Sequence, residues 1–329
     1  MTAVAPTLQA WFTERLATHK RASGHTIGSY RDTFRLLLRF AQERTGKAPS
    51  ALDFDDLGAD LVSAFLDHLE RQRHNSVRTR NARLAAIHSM YRFAALSHPE
   101  HSALIQRVLA IPTKGFERND VAFLEDHEVD ALLAAPDRAT WTGRRDHALL
   151  LTAVQTGLRV SELTGLRCTD VELGKGAHVQ CVGKGRKQRS TPLSPQTVRV
   201  LRVWLKERRG QPDDPLFPTS RGKPLSSDAV AWLVAKHAAS AKVSCPSMAN
   251  KTVTPHVLRH STAMSLLRAG TDAIVVALWL GHESVETTNI YVHADPAVKE
   301  RALARTKPPT SKPGRYRPPD HLLAFLESL

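Results

Sequence analysis

The sequence predicts a mainly α protein of two domains with a small antiparallel β-sheet. Three observations point there. Apolar residues recur at helical spacing through the first hundred positions. A break containing proline and glycine follows at Ile111-Pro112-Thr113-Lys114-Gly115. Beyond it, among further helical runs, His178-Val179-Gln180-Cys181-Val182 alternates in strand fashion and Gly183-Lys184-Gly185 supplies a turn. The chain of 329 residues, 42% hydrophobic and 24% charged, has material for two cores. The expected division is a helical domain over 1–110, a linker over 111–119, a second domain over 120–305 and a tail over 306–329.

Four helices are expected in the first domain. Thr7 can cap one through about Lys20, with Leu8, Trp11, Phe12 and Leu16 on one face. Thr26 can cap a second that buries Tyr30, Phe34, Leu37, Leu38 and Phe40. Asp60 precedes a third carrying Leu61, Phe65, Leu66 and Leu69. The fourth runs from about Ser76 to Leu96 and buries Leu84, Ile87, Tyr91 and Ala94 or Ala95. In the second domain, helices are expected over about 125–135 and 142–156, a β-type stretch over 171–193, then helices over 196–209, 227–241, 255–269 and 272–280. The tail from Lys307 to Pro319 holds five prolines and reads as extended. Asp320 can then cap a short helix with Leu322, Leu323, Leu326 and Leu329 on one side, a stripe suited to docking on another surface or left as a disordered tail.

The charge balance narrows the partner. Lys and Arg number 46 against 32 Asp and Glu, a formal surplus of +14, which favours a polyanion because each cation placed on a phosphate releases condensed counterions. Nucleic acid leads and an anionic membrane surface comes second. Arg71, Arg73, Arg78, Arg80, Arg83 and Arg92 follow one another without an intervening acid, so Arg78, Arg80 and Arg83 read either as DNA-backbone contacts or as a solvated face. The longest apolar run, Ala273 to Leu280, is far shorter than the ~20 residues of a membrane span. Met1 to Trp11 shows no export leader, so a cytoplasmic location is expected. Cys168, Cys181 and Cys245 form no CxxC pair and read as buried thiols.

Several motifs are absent from the sequence. There is no phosphate-binding GxxxxGK loop and no GxGxxG. His256 and His260, one helical turn apart, could face a metal together, but Arg259 stands where a metalloprotease carries its glutamate. What remains is a set of phosphate-handling side chains. Arg159 follows the break at Gly157, with Glu162 one turn further on; Lys184, Arg186, Lys187 and Arg189 sit on the hairpin; His256 and Arg259 share the start of a helix that Thr254 caps and Pro255 opens. Leu280-Gly281-His282 ends the next helix, and Tyr291 comes nine residues after His282. Singly, each has a plainer reading: Arg159 and Arg259 as ion-pair partners of Glu162 or Asp272, His282 as a cap, and a tyrosine as a core residue, which is the reading for Tyr30 and Tyr91.

The ordered set Arg159, Lys184, His256-x-x-Arg259, His282 and Tyr291 resembles the tyrosine recombinase (phage integrase) family, in its simple two-domain form. The resemblance implies a SAM-like, all-α core-binding domain followed by a mixed α/β catalytic domain of the DNA breaking-rejoining fold. It implies cleavage and rejoining of DNA through a 3′-phosphotyrosyl link, with no metal, ATP or other cofactor. In it, Arg159 and Arg259 hold the scissile phosphate, Tyr291 attacks, His256 takes or shares the phenolic proton, Lys184 protonates the leaving 5′-oxygen, His282 donates a hydrogen bond to the phosphate, and Glu162 orients the pocket from behind. Arg186, Lys187 and Arg189 join Arg78, Arg80 and Arg83 as expected DNA contacts. The implied partners are double-stranded DNA with paired recombination sites, other protomers of a homotetramer assembled through the C-terminal helix, and related recombinases, in the cytoplasm on nucleoid DNA. A type IB topoisomerase, a non-catalytic DNA-binding regulator, and a transposase within the same family are the competing readings.

Overall fold

The computed structural model describes residues 3–19, 22–116, 121–183, 188–282, 291 and 321–326. The chain divides into two compact units, Met1–Asn119 and Asp120–Leu329.

The first unit is helical. Helix α1, Val4–Ala10, continues as a π-helical stretch, Trp11–His19; α2 is Gly24–Thr45, α3 Ala59–Arg71, α4 Val77–Ala94 and α5 Ser102–Leu109. Trp11, Phe34, Leu37, Phe65, Leu66, Leu84, Ile87 and Tyr91 form its core, and the Tyr91 hydroxyl donates to Leu57 O at 2.6 Å. Four local expectations change. Thr7 does not cap α1: the helix starts earlier, where Val4 N donates to Leu52 O, and Thr7 lies inside it, bonded to His98 Nε2 at 2.8 Å. A tie to a distant turn sets that start. Ser23, rather than Thr26, caps α2, its hydroxyl accepting from the Thr26 amide. Asp60 lies in the first turn of α3, behind Gly58 at the cap. Helix α5 was not expected; it has no side-chain cap, and its eight residues are held by burial of Leu104, Ile105 and Val108.

Arg80 also changes. It is buried, and Nη1 donates to Pro112 O at 2.9 Å and to Asn81 Oδ1 at 3.1 Å. A side chain tying the end of its own domain is not available to DNA.

The second unit holds α6 Asp126–Ala134, α7 Trp141–Thr156, α8 Val160–Gly165, strands β1 Val171–Glu172, β2 His178–Val182 and β3 Gln188–Pro192, then α9 Pro195–Arg208, α10 Ser227–Ser244, α11 Pro255–Arg268 and α12 Ala273–Leu280. A terminal helix, α13, is His321–Leu326. The strands form one antiparallel sheet in the order β1-β2-β3, with Val179 opposite Thr191 and Cys181 opposite Arg189. One core gathers α6, α7, α9 and α10 around Leu149, Leu150, Leu201, Trp204, Leu233 and Val234. A smaller core joins α11 and α12 through Ala263, Met264, Leu267, Val276 and Leu280, and Tyr291 packs into it. Asp146 on α7, bonded to His237 Nε2 at 2.8 Å and to Arg145 at 2.7 Å, is a satisfied buried charge between α7 and α10. No helix among the described residues is long and apolar enough to cross a membrane.

Candidate active site

Two helix ends build the site. Helices α7 and α12 both stop at a glycine in the left-handed region, Gly157 at φ 63° and Gly281 at φ 65°. A Cβ on Gly157 would lie 2.5 Å from Leu280 Cδ2, so the two ends approach too closely for any other residue. Each turn presents carbonyl oxygens, and the arginines take them. Arg259, on the first turns of α11, donates from Nη1 to Gly157 O and from Nη2 to Leu280 O, both at 2.7 Å. Arg159, at the start of α8, donates from Nη2 to Gly281 O at 2.9 Å. Both guanidinium groups are therefore oriented by the backbone of the same pair of turns.

Glu162 locks Arg159 from behind. Its carboxylate accepts from the Arg159 amide at 2.8 Å and from Arg159 Nη1 at 2.9 Å. Arg189, reaching from β3, adds two further bonds at 2.9 and 2.7 Å. Burial opposes the charge on Glu162, but the Arg189 fork and the Arg159 amide outweigh it and hold the carboxyl below its usual range. Arg189 differs from the expected DNA contact: its fork is spent on Glu162 inside the protein, and its side chain is only 13% exposed, so it supports the site rather than facing DNA. Arg78 is exposed, its guanidinium 5.5 Å from the Phe116 ring. Arg83 is half-buried with Nη1 3.4 Å from Thr33 Oγ1. Lys184, Arg186 and Lys187 lie outside the described residues.

Tyr291 is brought to this cluster. The charges of Arg259 and Arg159 act on its phenol, although burial prevails and raises the hydroxyl above its ordinary value. Its ring stacks on His282 at 6.2 Å and 15°. The hydroxyl meets His260 Nδ1 at 2.8 Å, and His260 in turn packs edge-on against His256 with ring centroids 4.2 Å apart. The family resemblance implies His256 as the partner of the phenol. The structure puts the residue one turn further along α11 in hydrogen-bond contact, and leaves His256 exposed. The spacing of the two histidines carries the signal, since a pair one turn apart can share a phenol as readily as a metal. Among the described residues no three His, Cys, Asp or Glu side chains converge as a metal site.

Burial and the arginines keep this cluster uncharged apart from the guanidinium groups. His260 is lowered to about 4 by burial, then by His256, Arg259 and His282; His282 falls to about 4 by burial, then by Arg259 and Arg159. Arg259, 3% exposed, is lowered to about 10, first by burial and next by Arg159. Two neighbouring cations, neutral imidazoles and a phenol make a pocket that wants an anion.

Residues 122–297 match the phage integrase family, and residues 10–98 match the phage integrase N-terminal SAM-like domain. The chain belongs to the phage integrase family. This integrase is 57% identical over 326 residues to the "Putative integrase/recombinase y4rC" of Sinorhizobium fredii, covering 99% of this chain and 98% of that protein. It is 34% identical to the tyrosine recombinase XerC of Pelobacter propionicus, covering 86% of this chain and 89% of the relative. Its fold is shared with the Tn1549 transposon integrase, at TM-score 0.70 and 16% identity over 93% of this chain and all of that one (100%). The integrase is accordingly a site-specific DNA recombinase of the tyrosine type, a strand-transferring enzyme.

Proposed function

We propose that Tyr291 is the nucleophile of this recombinase and that Arg159, Lys184, His256, Arg259 and His282 complete the catalytic set, with Glu162 positioning Arg159. The observation that carries the reading is the convergence of a phenol with two arginines whose forks are aligned by the turns at Gly157 and Gly281. A phosphodiester repels a nucleophile and has a poor alkoxide leaving group, so the catalyst must neutralise charge and move protons. Arginine meets the first need with planar donors and a permanent charge. Tyr291 Oη gives up its proton to a neighbouring imidazole and bonds to phosphorus, the P–O5′ bond breaks, and Lys184 supplies a proton to the leaving oxygen. The reverse attack by another strand's 5′-hydroxyl rejoins DNA in a new arrangement, the bond energy having been kept in the phosphotyrosine.

The partner is duplex DNA, with Arg78 and Arg83 in the first unit and Arg186 and Lys187 in the second as its backbone contacts. The working unit is a homotetramer on two paired sites in the cytoplasm, on nucleoid DNA, alongside related recombinases. The exposed Leu323, Phe325 and Leu326 of α13 support docking of that helix on a neighbouring protomer.

The test is covalent trapping. Incubated with a pool of nicked duplexes of randomised core sequence, the wild-type chain forms an adduct that carries DNA on the peptide containing residue 291, and Tyr291→Phe binds DNA without forming it. An adduct on another residue, or one persisting in Tyr291→Phe, would overturn the reading. Cleavage that survives chelators and needs no ATP is expected, and relaxation of supercoils without partner exchange would point to a topoisomerase instead.

A further inference from the structure

The catalytic reading leaves one contact unexplained: the phenol of Tyr291 rests on His260, not on the histidine of the His-x-x-Arg pair. We propose that His260 receives the phenolic proton of Tyr291 during strand cleavage, and that the docked phosphodiester is what enables it to do so. The inference rests on the assignment of Tyr291 as nucleophile.

Geometry favours it first. Nδ1 of His260 and Oη of Tyr291 are already 2.8 Å apart, inside the reach a proton acceptor needs. The rings meet at 63° with centroids 5.3 Å apart, so the contact is made through the ring nitrogen and not through stacking. His256, exposed one turn earlier and 4.2 Å from the His260 ring, stays free to meet the phosphate.

Electrostatics supplies the control. The groups facing His260 are His256 and Arg259 on its own helix, His282 at the end of α12, and Tyr291. After burial, the neighbouring imidazoles and the Arg259 cation are what disfavour a proton on it, so in the free protein it stays neutral and the phenol stays protonated. A phosphodiester seated on Arg159 and Arg259 brings a negative charge into the pocket. That charge offsets the Arg259 field and stabilises an imidazolium at His260. The nucleophile is thereby activated only when its target is in place.

The protons and bonds balance. In cleavage the Tyr291 hydroxyl proton passes to His260 Nδ1, the freed oxygen pair forms the bond to phosphorus, and the pair of the P–O5′ bond leaves with O5′, which takes its proton from Lys184. In rejoining, the incoming 5′-hydroxyl returns that proton, its oxygen bonds to phosphorus, and the departing Tyr291 oxygen recovers its proton from His260.

The test compares His260→Asn with wild type in the same trapping assay. Asparagine keeps a hydrogen-bonding group near the Nδ1 position but cannot take a proton. DNA binding is expected to be unchanged and adduct formation to fall about 100-fold, the lower end of general-base effects. The acid limb of the rate–pH profile is expected to disappear. Replacing Tyr291 in the variant by 2,3,5-trifluorotyrosine, whose phenol ionises more readily, should restore at least about tenfold; a bridging 5′-sulfur substrate, which relieves the leaving group only, should not. His260→Gln, with its melting curve beside that of wild type, guards against a folding defect. Cleavage by His260→Asn within threefold of wild type (about 3-fold, under 1 kcal/mol), or rescue by the sulfur substrate alone, overturns the proposal while leaving Tyr291 intact. Failure of the wild-type chain to form any adduct overturns both.

Discussion

Gly157→Ala tests the way two helix ends make the pocket. The substitution places a Cβ in a backbone held at φ 63°, where an L-residue is disfavoured by roughly 1–2 kcal/mol. The new methyl would stand 2.5 Å from Leu280 Cδ2 and 3.3 Å from Thr262 Cβ and Cγ2. Leu280 can swing aside, but it is wholly buried in the α11–α12 core, so overpacking adds about 1–2 kcal/mol. The reduced freedom of the unfolded chain returns about 0.4–1 kcal/mol. The net expectation is a loss of about 2–3 kcal/mol from the second unit. Activity should fall further than stability alone explains, because the Gly157 carbonyl holds Arg259 and Leu280 precedes the turn that holds Arg159. Gly165→Ala is the control: nothing lies within 4 Å of a Cβ there, and the gain in helix propensity makes it neutral or stabilising by up to about 1 kcal/mol. Urea unfolding followed by the tryptophans of the second unit, alongside hydrogen exchange on α7 and α12, measures both. A Gly157→Ala protein within about 0.5 kcal/mol of wild type would refute the argument from close approach.

Glu162→Gln keeps the shape of the side chain but removes the charge that faces Arg159 and Arg189; breaking so buried a pair is expected to lose about 3 kcal/mol, with the double variant Glu162→Gln/Arg189→Met losing less than the sum, as read by denaturation. Arg80→Ala should destabilise the first unit by about 2 kcal/mol through its lost bond to Pro112 O, whereas exposed Arg78→Ala should leave the melting curve alone and make DNA binding less salt-dependent; a stability loss at Arg78 and none at Arg80 would reverse their roles. His260 and His282 resist protonation in the fold, whereas in the unfolded chain they titrate near 6.5. Between about 6.5 and 4 the unfolded state then binds more protons, so stability should fall as pH drops through that window and hold steady above it. Unfolding curves at pH 7.5, 5.5 and 4.5 (about one to two units apart) check the sign, and a rise on acidification contradicts it.

The helices were legible because their signals are local. Helix α4 starts where expected, with Ser76 at its cap accepting from the Thr79 amide, and Val77–Ala94 buries the anticipated Leu84, Ile87, Tyr91 and Ala94. The alternation from His178 to Val182 gave the central strand. Helix α5 escaped because eight residues without a cap carry too little pattern. At the site, the arginines, the histidine pair, Glu162 and Tyr291 were all visible as residue types at suggestive intervals. What eluded the sequence was which atom meets which. Arg189 looked like a hairpin cation for DNA, yet its partner is a carboxylate 27 residues away; Arg80 looked like a surface charge, yet it bonds a carbonyl 32 residues on.

By itself the sequence determined the two-part helical architecture with its small sheet, the excess positive charge and the inventory of arginines, histidines and tyrosine at suggestive intervals, because caps, turns and periodic burial act over a few neighbouring residues. Tertiary structure alone decided that His260 and not His256 touches the Tyr291 hydroxyl, across 31 residues of chain. Two imidazoles one turn apart on α11 are equivalent in any local pattern, and only the packing of Tyr291 into the α11–α12 core selects between them.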